Sequence, residues 1–201
     1  MEKQAEKITN LLTQAVFLEM EASGRHVHVT QEQARILFGQ ELTARKPLSQ
    51  PGQYVCHQRV TVVGPKGKFE GVAVLGPARK SAQVEISLTD CRTLGIDAPI
   101  RQSGKAENTP GCTLVGDRGS ITLPTGVIVA QRHVHLDPAS AAVRQVRDGD
   151  RVKLRTLTGR PLIFDDVVVR VSPDFAPRVH LDYDEANACG FHPGDLGLIV
   201  P

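Results

Sequence analysis

The 201-residue chain has no Trp, only 2 Tyr and 6 Phe, and a formal net charge of +2. It therefore lacks the stacking rings and the basic surface from which a nucleic-acid site is built. No apolar run approaches the roughly 18–20 residues of a membrane helix. The opening Met1-Glu2-Lys3-Gln4-Ala5-Glu6-Lys7 alternates charge without an apolar stretch, so no export signal is expected and the reading is a cytoplasmic protein. Its 4 Cys (Cys56, Cys91, Cys112, Cys189) scatter with no Cys-x-x-Cys pair and no finger spacing to His. That excludes a structural zinc finger and indicates free thiols in the core. Nor is there a Gly-x-Ser-x-Gly elbow, a Walker A loop or a dinucleotide-binding glycine pattern, which removes the common nucleophile and nucleotide classes. What remains is a globular composition, 40% hydrophobic and 23% charged, sufficient for one sizeable domain or two small ones.

Ile8, Leu11, Leu12, Ala15 and Val16 recur at helical spacing, which predicts an N-terminal amphipathic helix over residues 1–14. From Ala15 to Met20 the pattern suits a strand equally well. Beyond Gly24 the chain is a series of short β-type runs: Tyr54–Val63, Phe69–Leu75, Gln83–Leu88, Gly126–Ala130, Val152–Leu157, Val167–Val171 and Leu196–Val200. Turn signals such as Gly64-Pro65-Lys66-Gly67 and Thr158-Gly159 separate them. Many strands with few long helices predict a mainly β protein built of small antiparallel barrels capped by short helices. The Gly-, Asn- and Pro-rich segment Gly104–Gly119 reads as a linker. The expected domains are a first β-barrel with linker over residues 23–119 and a second over residues 120–201.

The strongest internal signal is a repeat. Arg25-His26-Val27-His28-Val29-Thr30 returns 107 residues later as Arg132-His133-Val134-His135-Leu136-Asp137. Each copy runs into a helix start: Thr30 with Gln33 as a capping box, with Gly39 ending the helix, and Asp137 as N-cap before Pro138, with Gly149 near the end. A fainter echo follows. Val84-Glu85-Ile86-Ser87 precedes a helix that Thr89 can cap, ending near Gly95. Val179-His180-Leu181-Asp182 precedes one in which Asp182 and Glu185 form a box, ending at Gly190. In that register Glu85 and His180 take the same place.

Side chains at i and i+2 on a strand share a face, so each His-x-His pair presents two imidazoles side by side. Neutral imidazoles so placed suit Zn²⁺ or a similar metal, and a catalytic zinc takes a third protein ligand while keeping one position open. The repeat nominates Glu85 for one pair and His180 for the other, giving the sets His26, His28, Glu85 and His133, His135, His180. One isolated pair would serve equally as a half-buried strand with hydrogen-bonded rings. Two pairs inside duplicated units favour metal. His57 and His192 read as local structure. Arg79, in the loop Gly76-Pro77-Ala78-Arg79-Lys80, reads from the residues alone as a solvated charge. Arg25 and Arg132 are either groups that orient the adjacent ligands or plain turn residues.

At these residues the sequence resembles the phosphate propanoyltransferases of the propanediol-utilisation type, phosphotransacylases of bacterial microcompartments. The matching segments are Arg25-His26-Val27-His28, Gly76-Pro77-Ala78-Arg79 with Gln83-Val84-Glu85-Ile86-Ser87, Ile100-Arg101-Gln102-Ser103-Gly104, Arg132-His133-Val134-His135, and His180 through Ala188. The resemblance implies two β-barrels, with strand 15–22 joining the C-terminal one, and a binuclear site of two Zn²⁺ per chain between them on the same six residues. It implies transfer of a short acyl group, propanoyl or acetyl, between coenzyme A and phosphate, with Arg79 on phosphate and Ser103 near the coenzyme A thiol. A homo-oligomer in a microcompartment lumen is expected, its N-terminal helix a possible encapsulation peptide for shell proteins. The alternative on the same ligands is a zinc-dependent hydrolase of thioesters or phosphoesters. The sequence departs from the family before Gly24, where Met20-Glu21-Ala22-Ser23 stands in place of a shorter glycine-containing run.

Overall fold

The protein is described by a computed structural model covering residues 16–200, so the helix expected over residues 1–14 lies outside the described part. The fold is mainly β with short helices. In chain order the elements are β1 (Phe17–Ser23), β2 (His26–His28), α1 (Gln31–Phe38), β3 (Ala44–Pro47), β4 (Tyr54–Val63), β5 (Lys68–Gly76), β6 (Gln83–Ile86) and α2 (Leu88–Leu94). Then follow β7 (Ile100–Arg101), β8 (Cys112–Val115), β9 (Ser120–Leu123), β10 (Val127–Ala130), β11 (His133–Leu136) and α3 (Pro138–Val143). β12 (Arg151–Leu157), β13 (Ile163–Val171), β14 (Arg178–Asp182), α4 (Tyr183–Ala188) and β15 (Leu196–Val200) complete the chain. No helix among the described residues is long and apolar enough to cross a membrane.

Two compact units divide these elements. The first holds Gly24–Gln131 with Asp182–Asp184; the second holds β1, Arg132–Leu181 and the residues from Glu185 on. In the second unit six strands close a barrel in the order β1-β14-β11-β13-β12-β15. β1 enters it by antiparallel pairing with β15, Phe17 opposite Leu198. Its core gathers Leu18, Met20, Val134, Leu136, Leu154, Val167, Val169 and Leu181. In the first unit a nine-stranded, barrel-like sheet runs β7-β10-β6-β2-β5-β4-β8-β9, with β3 alongside β4, over a core that includes Val27, Val29, Leu37, Val60, Val84, Leu94 and Leu114.

The division between the units differs from the sequence expectation. Residues 120–131 belong to the first unit, because β9 pairs with β8 while β10 pairs in parallel with β6 and β7. The expected linker contains β8, whose Cys112 and Leu114 are buried in the core. Four residues between glycines give too short an alternation to announce a strand. Pairing is also not purely antiparallel: each His-x-His strand has one parallel neighbour (β5 for β2, β13 for β11) and one antiparallel neighbour (β6 for β2, β14 for β11).

Helix starts fix where the site strands end. Thr30 caps α1 through its Oγ1, which accepts from Gln33 N at 3.1 Å, and Gln33 Oε1 accepts from Thr30 N at 2.9 Å. Asp137 Oδ1 accepts from Ala139 N and Ser140 N, both at 2.9 Å, with Pro138 in the first turn of α3. Ser87, not Thr89, caps α2, because Ser87 and Asp90 complete the reciprocal box and Thr89 N instead donates to Asp184 Oδ2 at 2.8 Å. These caps satisfy backbone donors that a helix leaves open and set the direction in which the chain leaves each strand. α3 is shorter than expected: it ends at Val143, and Gly149 lies in the turn ahead of β12.

Candidate metal centre

β2 is three residues long, and alternation places His26 and His28 on one face with Val27 on the other, in the core. The antiparallel neighbour β6 sets Glu85 directly opposite His26 and Gln83 opposite His28. All four side chains therefore share one face, and all are buried. The donor atoms of His26, His28 and Glu85 lie within 4.8 Å of one another. His26 Nδ1 donates to the Gly24 carbonyl at 2.8 Å, which leaves Nε2 facing Glu85 Oε1 at 3.5 Å. A gap of that kind takes a proton or a metal cation.

The electrostatics favour a cation there. Burial opposes ionisation of Glu85, but His26, then His28 and a hydrogen bond from Ser103, outweigh it and hold the carboxyl well below its usual range. Burial likewise opposes charge on His26, yet Glu85 and the Gly24 carbonyl raise its pKa. His28 goes the other way: burial, followed by His26 and Arg79, pushes it down to about 3, so it is neutral near pH 7. Its Nδ1 is buried and has no hydrogen-bond partner.

The second set is built by the same register. β11 places His133 and His135 on one face with Val134 in the core, and β14 sets His180 opposite His133. Ligand atoms of the three again lie within 4.8 Å. The His133 and His180 rings stack with centroids 5.0 Å apart and planes 5° apart; His135 meets them edge-on at 4.6 and 4.8 Å. Burial, then the neighbouring His133, His180 and Arg170, pushes His135 down to about 2. Both of its ring nitrogens are buried without a hydrogen-bond partner. An unpaired buried polar atom is costly, and among the described residues each set contains at least one such ring nitrogen. Two imidazoles with a carboxylate, and three imidazoles, are donor sets that fit Zn²⁺ with one coordination position left open.

The adjacent arginines brace these strands. Arg25 forms a two-pronged pair with Asp90, Nε to Oδ2 at 3.0 Å and Nη2 to Oδ1 at 2.7 Å, and lies 4.1 Å from the centre of the Phe69 ring. Arg132 donates Nε to the Asp165 carbonyl at 2.7 Å and Nη1 to Glu185 Oε1 at 2.8 Å. Asp90 and Glu185 each follow their set's third ligand by the same offset, in the first turn of the next helix. Arg25 and Arg132 thus tie each His-x-His strand to the helix that follows the third ligand, a role beyond that of turn residues. Arg178, opposite His135, pairs with Glu19 at 2.9 Å and Glu21 at 3.4 Å, and Glu21 Oε2 stands 4.0 Å from His180 Nδ1. Carboxylates placed this way orient ligating imidazoles.

Arg79 and Ser103 meet in the first unit, Nη1 donating to Oγ at 3.1 Å, while Arg79 N donates to the Val29 carbonyl. His57 and His192 are exposed and outside both sets: the His57 amide pairs with the Thr43 carbonyl, and the His192 amide with Asp195. Gln83, Asp90 and Glu21 were not singled out by sequence reasoning, and Glu185 was read only as half of a capping box. For the two helix acids the repeated offset was available as a signal.

Comparison with known proteins places the chain among close relatives. A family model described as phosphate propanoyltransferase matches residues 19–192. A protein named phosphate propanoyltransferase from Enterococcus faecalis is 54% identical over 184 residues, 90% of this chain and 87% of that protein. One of the same name from Listeria monocytogenes is 52% identical over 197 residues, 97% of this chain and 92% of its own. Another, from Thermotoga maritima, is 51% identical over 181 residues, 89% and 86%.

Removing one half of the arginine–carboxylate brace leaves a buried charge alone. Arg25→Ala should destabilise the metal-free protein by about 2–3 kcal/mol. Adding Asp90→Ala should cost less than the two single changes combined, a coupling of about 1 kcal/mol or more in urea unfolding. Strict additivity would show the pair to be a solvated surface contact.

Proposed function

Because this chain belongs to the phosphate propanoyltransferase family, we propose that it transfers a short acyl group between coenzyme A and phosphate, with one zinc on each three-residue set. The observation that carries the metal assignment is the pair of clusters, each with a buried imidazole nitrogen, Nδ1 of His28 and both ring nitrogens of His135, that has no hydrogen-bond partner among the described residues. The matching order of elements supports reading the units as copies of one repeat: His-x-His strand, helix, antiparallel hairpin (β4–β5, β12–β13), third-ligand strand, helix. The finer reading is a binuclear zinc site serving one reaction.

In the forward direction a phosphate oxygen attacks the thioester carbonyl carbon, the C–S bond breaks, and coenzyme A leaves as thiolate. Bound zinc would supply Lewis-acid charge for the phosphate oxygens, the developing oxyanion and the leaving sulfur. The protein's part is to hold and align a poor nucleophile. Arg79 offers a planar fork of donors suited to phosphate, and its Nη1 contact with Ser103 fixes where that fork points. His26 is locked by Gly24 with Nε2 inward, and His28 and His135 are kept neutral by burial, as ligating imidazoles must be. The sequence pattern offers no nucleophile motif, and direct transfer requires none.

The test is release of coenzyme A from propanoyl- and acetyl-coenzyme A with and without phosphate. Release that depends on phosphate is expected; equal release without it indicates hydrolysis on the same ligands. His28→Ala or His135→Ala should lose one zinc per chain and at least 100-fold in rate, read by metal analysis and kinetics. Arg79→Ala should retain both zincs and raise the phosphate KM by about tenfold or more. Unchanged phosphate kinetics would remove Arg79 from the site.

Residues 1–14, with the amphipathic spacing of Ile8, Leu11 and Leu12, are assigned to shell docking in a microcompartment lumen on the resemblance to the microcompartment phosphotransacylases; the alternative on the same spacing is packing against the barrels or a second copy of the chain. A chain starting near Thr13 should stay folded and active yet fail to co-purify with shells; retained co-purification would overturn this. The homo-oligomer is part of the same proposal: light scattering in solution should give a multiple of the 21.8 kDa chain mass, and a single-chain mass would overturn it.

A further inference from the structure

The side chain on which the first site turns is one that spacing did not nominate. Gln83 sits across from His28 on β6 and is 3% exposed. Its amide nitrogen donates to Glu85 Oε1 at 2.6 Å and to Ser103 Oγ at 2.8 Å; its oxygen accepts from Gly104 N at 2.8 Å. Both amide hydrogens are used, and the Gly104 donor fixes which way the group faces.

Ser103 is equally committed. A hydroxyl has one hydrogen and two lone pairs. Ser103 Oγ accepts from Arg79 Nη1 at 3.1 Å and from Gln83 Nε2 at 2.8 Å. Both lone pairs are taken, so the oxygen has none left to accept from a substrate.

We infer that Ser103 acts as a positioning residue: with Gln83 it fixes the Glu85 carboxylate and the Arg79 guanidinium relative to one another. This rests on the assignment of Arg79 to phosphate made above. The network Glu85–Gln83–Ser103–Arg79 joins a candidate metal ligand to the anion-binding arginine, so the two cannot drift apart independently. Ser103 and Gly104 come from the loop after β7, and Gln83 and Glu85 from β6, so the network also ties that loop to the metal strand.

The measurement is steady-state kinetics of the zinc-loaded full chain for Ser103→Ala and Ser103→Thr, with chelator competition for zinc on Gln83→Leu without substrate. Ser103→Ala should raise the phosphate KM about tenfold, the scale of one hydrogen bond to a charged group, and leave the acyl-coenzyme A KM within about twofold. Ser103→Thr, which keeps the hydroxyl, should restore the phosphate KM. Gln83→Leu should weaken zinc at the first set by about tenfold or more. A raised acyl-coenzyme A KM with normal phosphate KM in Ser103→Ala would overturn the inference, as would unaltered zinc affinity in Gln83→Leu. A wild-type chain without phosphate-dependent release would instead refute the transferase reading, with the zinc competition still deciding whether Gln83 braces Glu85.

Discussion

Strand register is the constraint on which both candidate sites depend. A third ligand lies directly opposite the first histidine of each pair, Glu85 across from His26 and His180 across from His133. A slip of one residue on β6 or β14 would turn that ligand to the opposite face and bring a core valine, Val84 or Val179, towards the imidazoles. The apolar residues between ligands therefore do more than fill space. Val27, Val84, Val134 and Val179 are each fully buried, and driving any of them out of the core would cost about 1.5–3 kcal/mol. Hydrophobic burial on one face fixes the geometry of the candidate ligands on the other.

The same arrangement costs stability when no cation is present. Three imidazoles whose ligand atoms lie within 4.8 Å repel one another when protonated and leave polar nitrogens unsatisfied when neutral. Burial, and after it the repulsion of His133 and His180, drives the downward shift of His135, and its unpartnered ring nitrogens express the second penalty. Such a cluster persists only if the surrounding structure over-determines it. The Arg25–Asp90 and Arg132–Glu185 pairs and the helix caps two residues beyond His28, Glu85 and His135 supply that restraint.

The two side-chain clusters were legible in the sequence because strand alternation and a recurring tetrapeptide are short-range patterns, and Glu85 and His180 were nominated by aligning the segments that follow. The caps at Thr30 and Asp137 were legible for the same reason. Ser87 was overlooked in favour of Thr89 because two hydroxyl residues lie within one turn, and only the reciprocal bond with Asp90 decides between them. Residues 120–131 were assigned to the wrong half because β10 joins its sheet by parallel pairing with β6 and β7, which leaves no hairpin turn to read. Gln83 escaped notice because an amide carries no metal or acid–base signature. Its role lies entirely in what it touches across roughly 20 residues of chain.

The two sets differ in one respect with chemical consequences. Glu85 brings a negative charge to the first, and Arg79, joined to it through Ser103, returns a positive one. The all-imidazole set brings no anionic ligand, while Arg170 acts on His135 as a nearby positive charge. Glu21, whose Oε2 stands 4.0 Å from His180 Nδ1, is shared with Arg178. A cation at the first set is therefore partly neutralised by its own ligands, whereas one at the second retains more of its charge. The exchange of an acid, Glu85, for an imidazole, His180, opposite the first histidine of each pair thus gives the two clusters different charge.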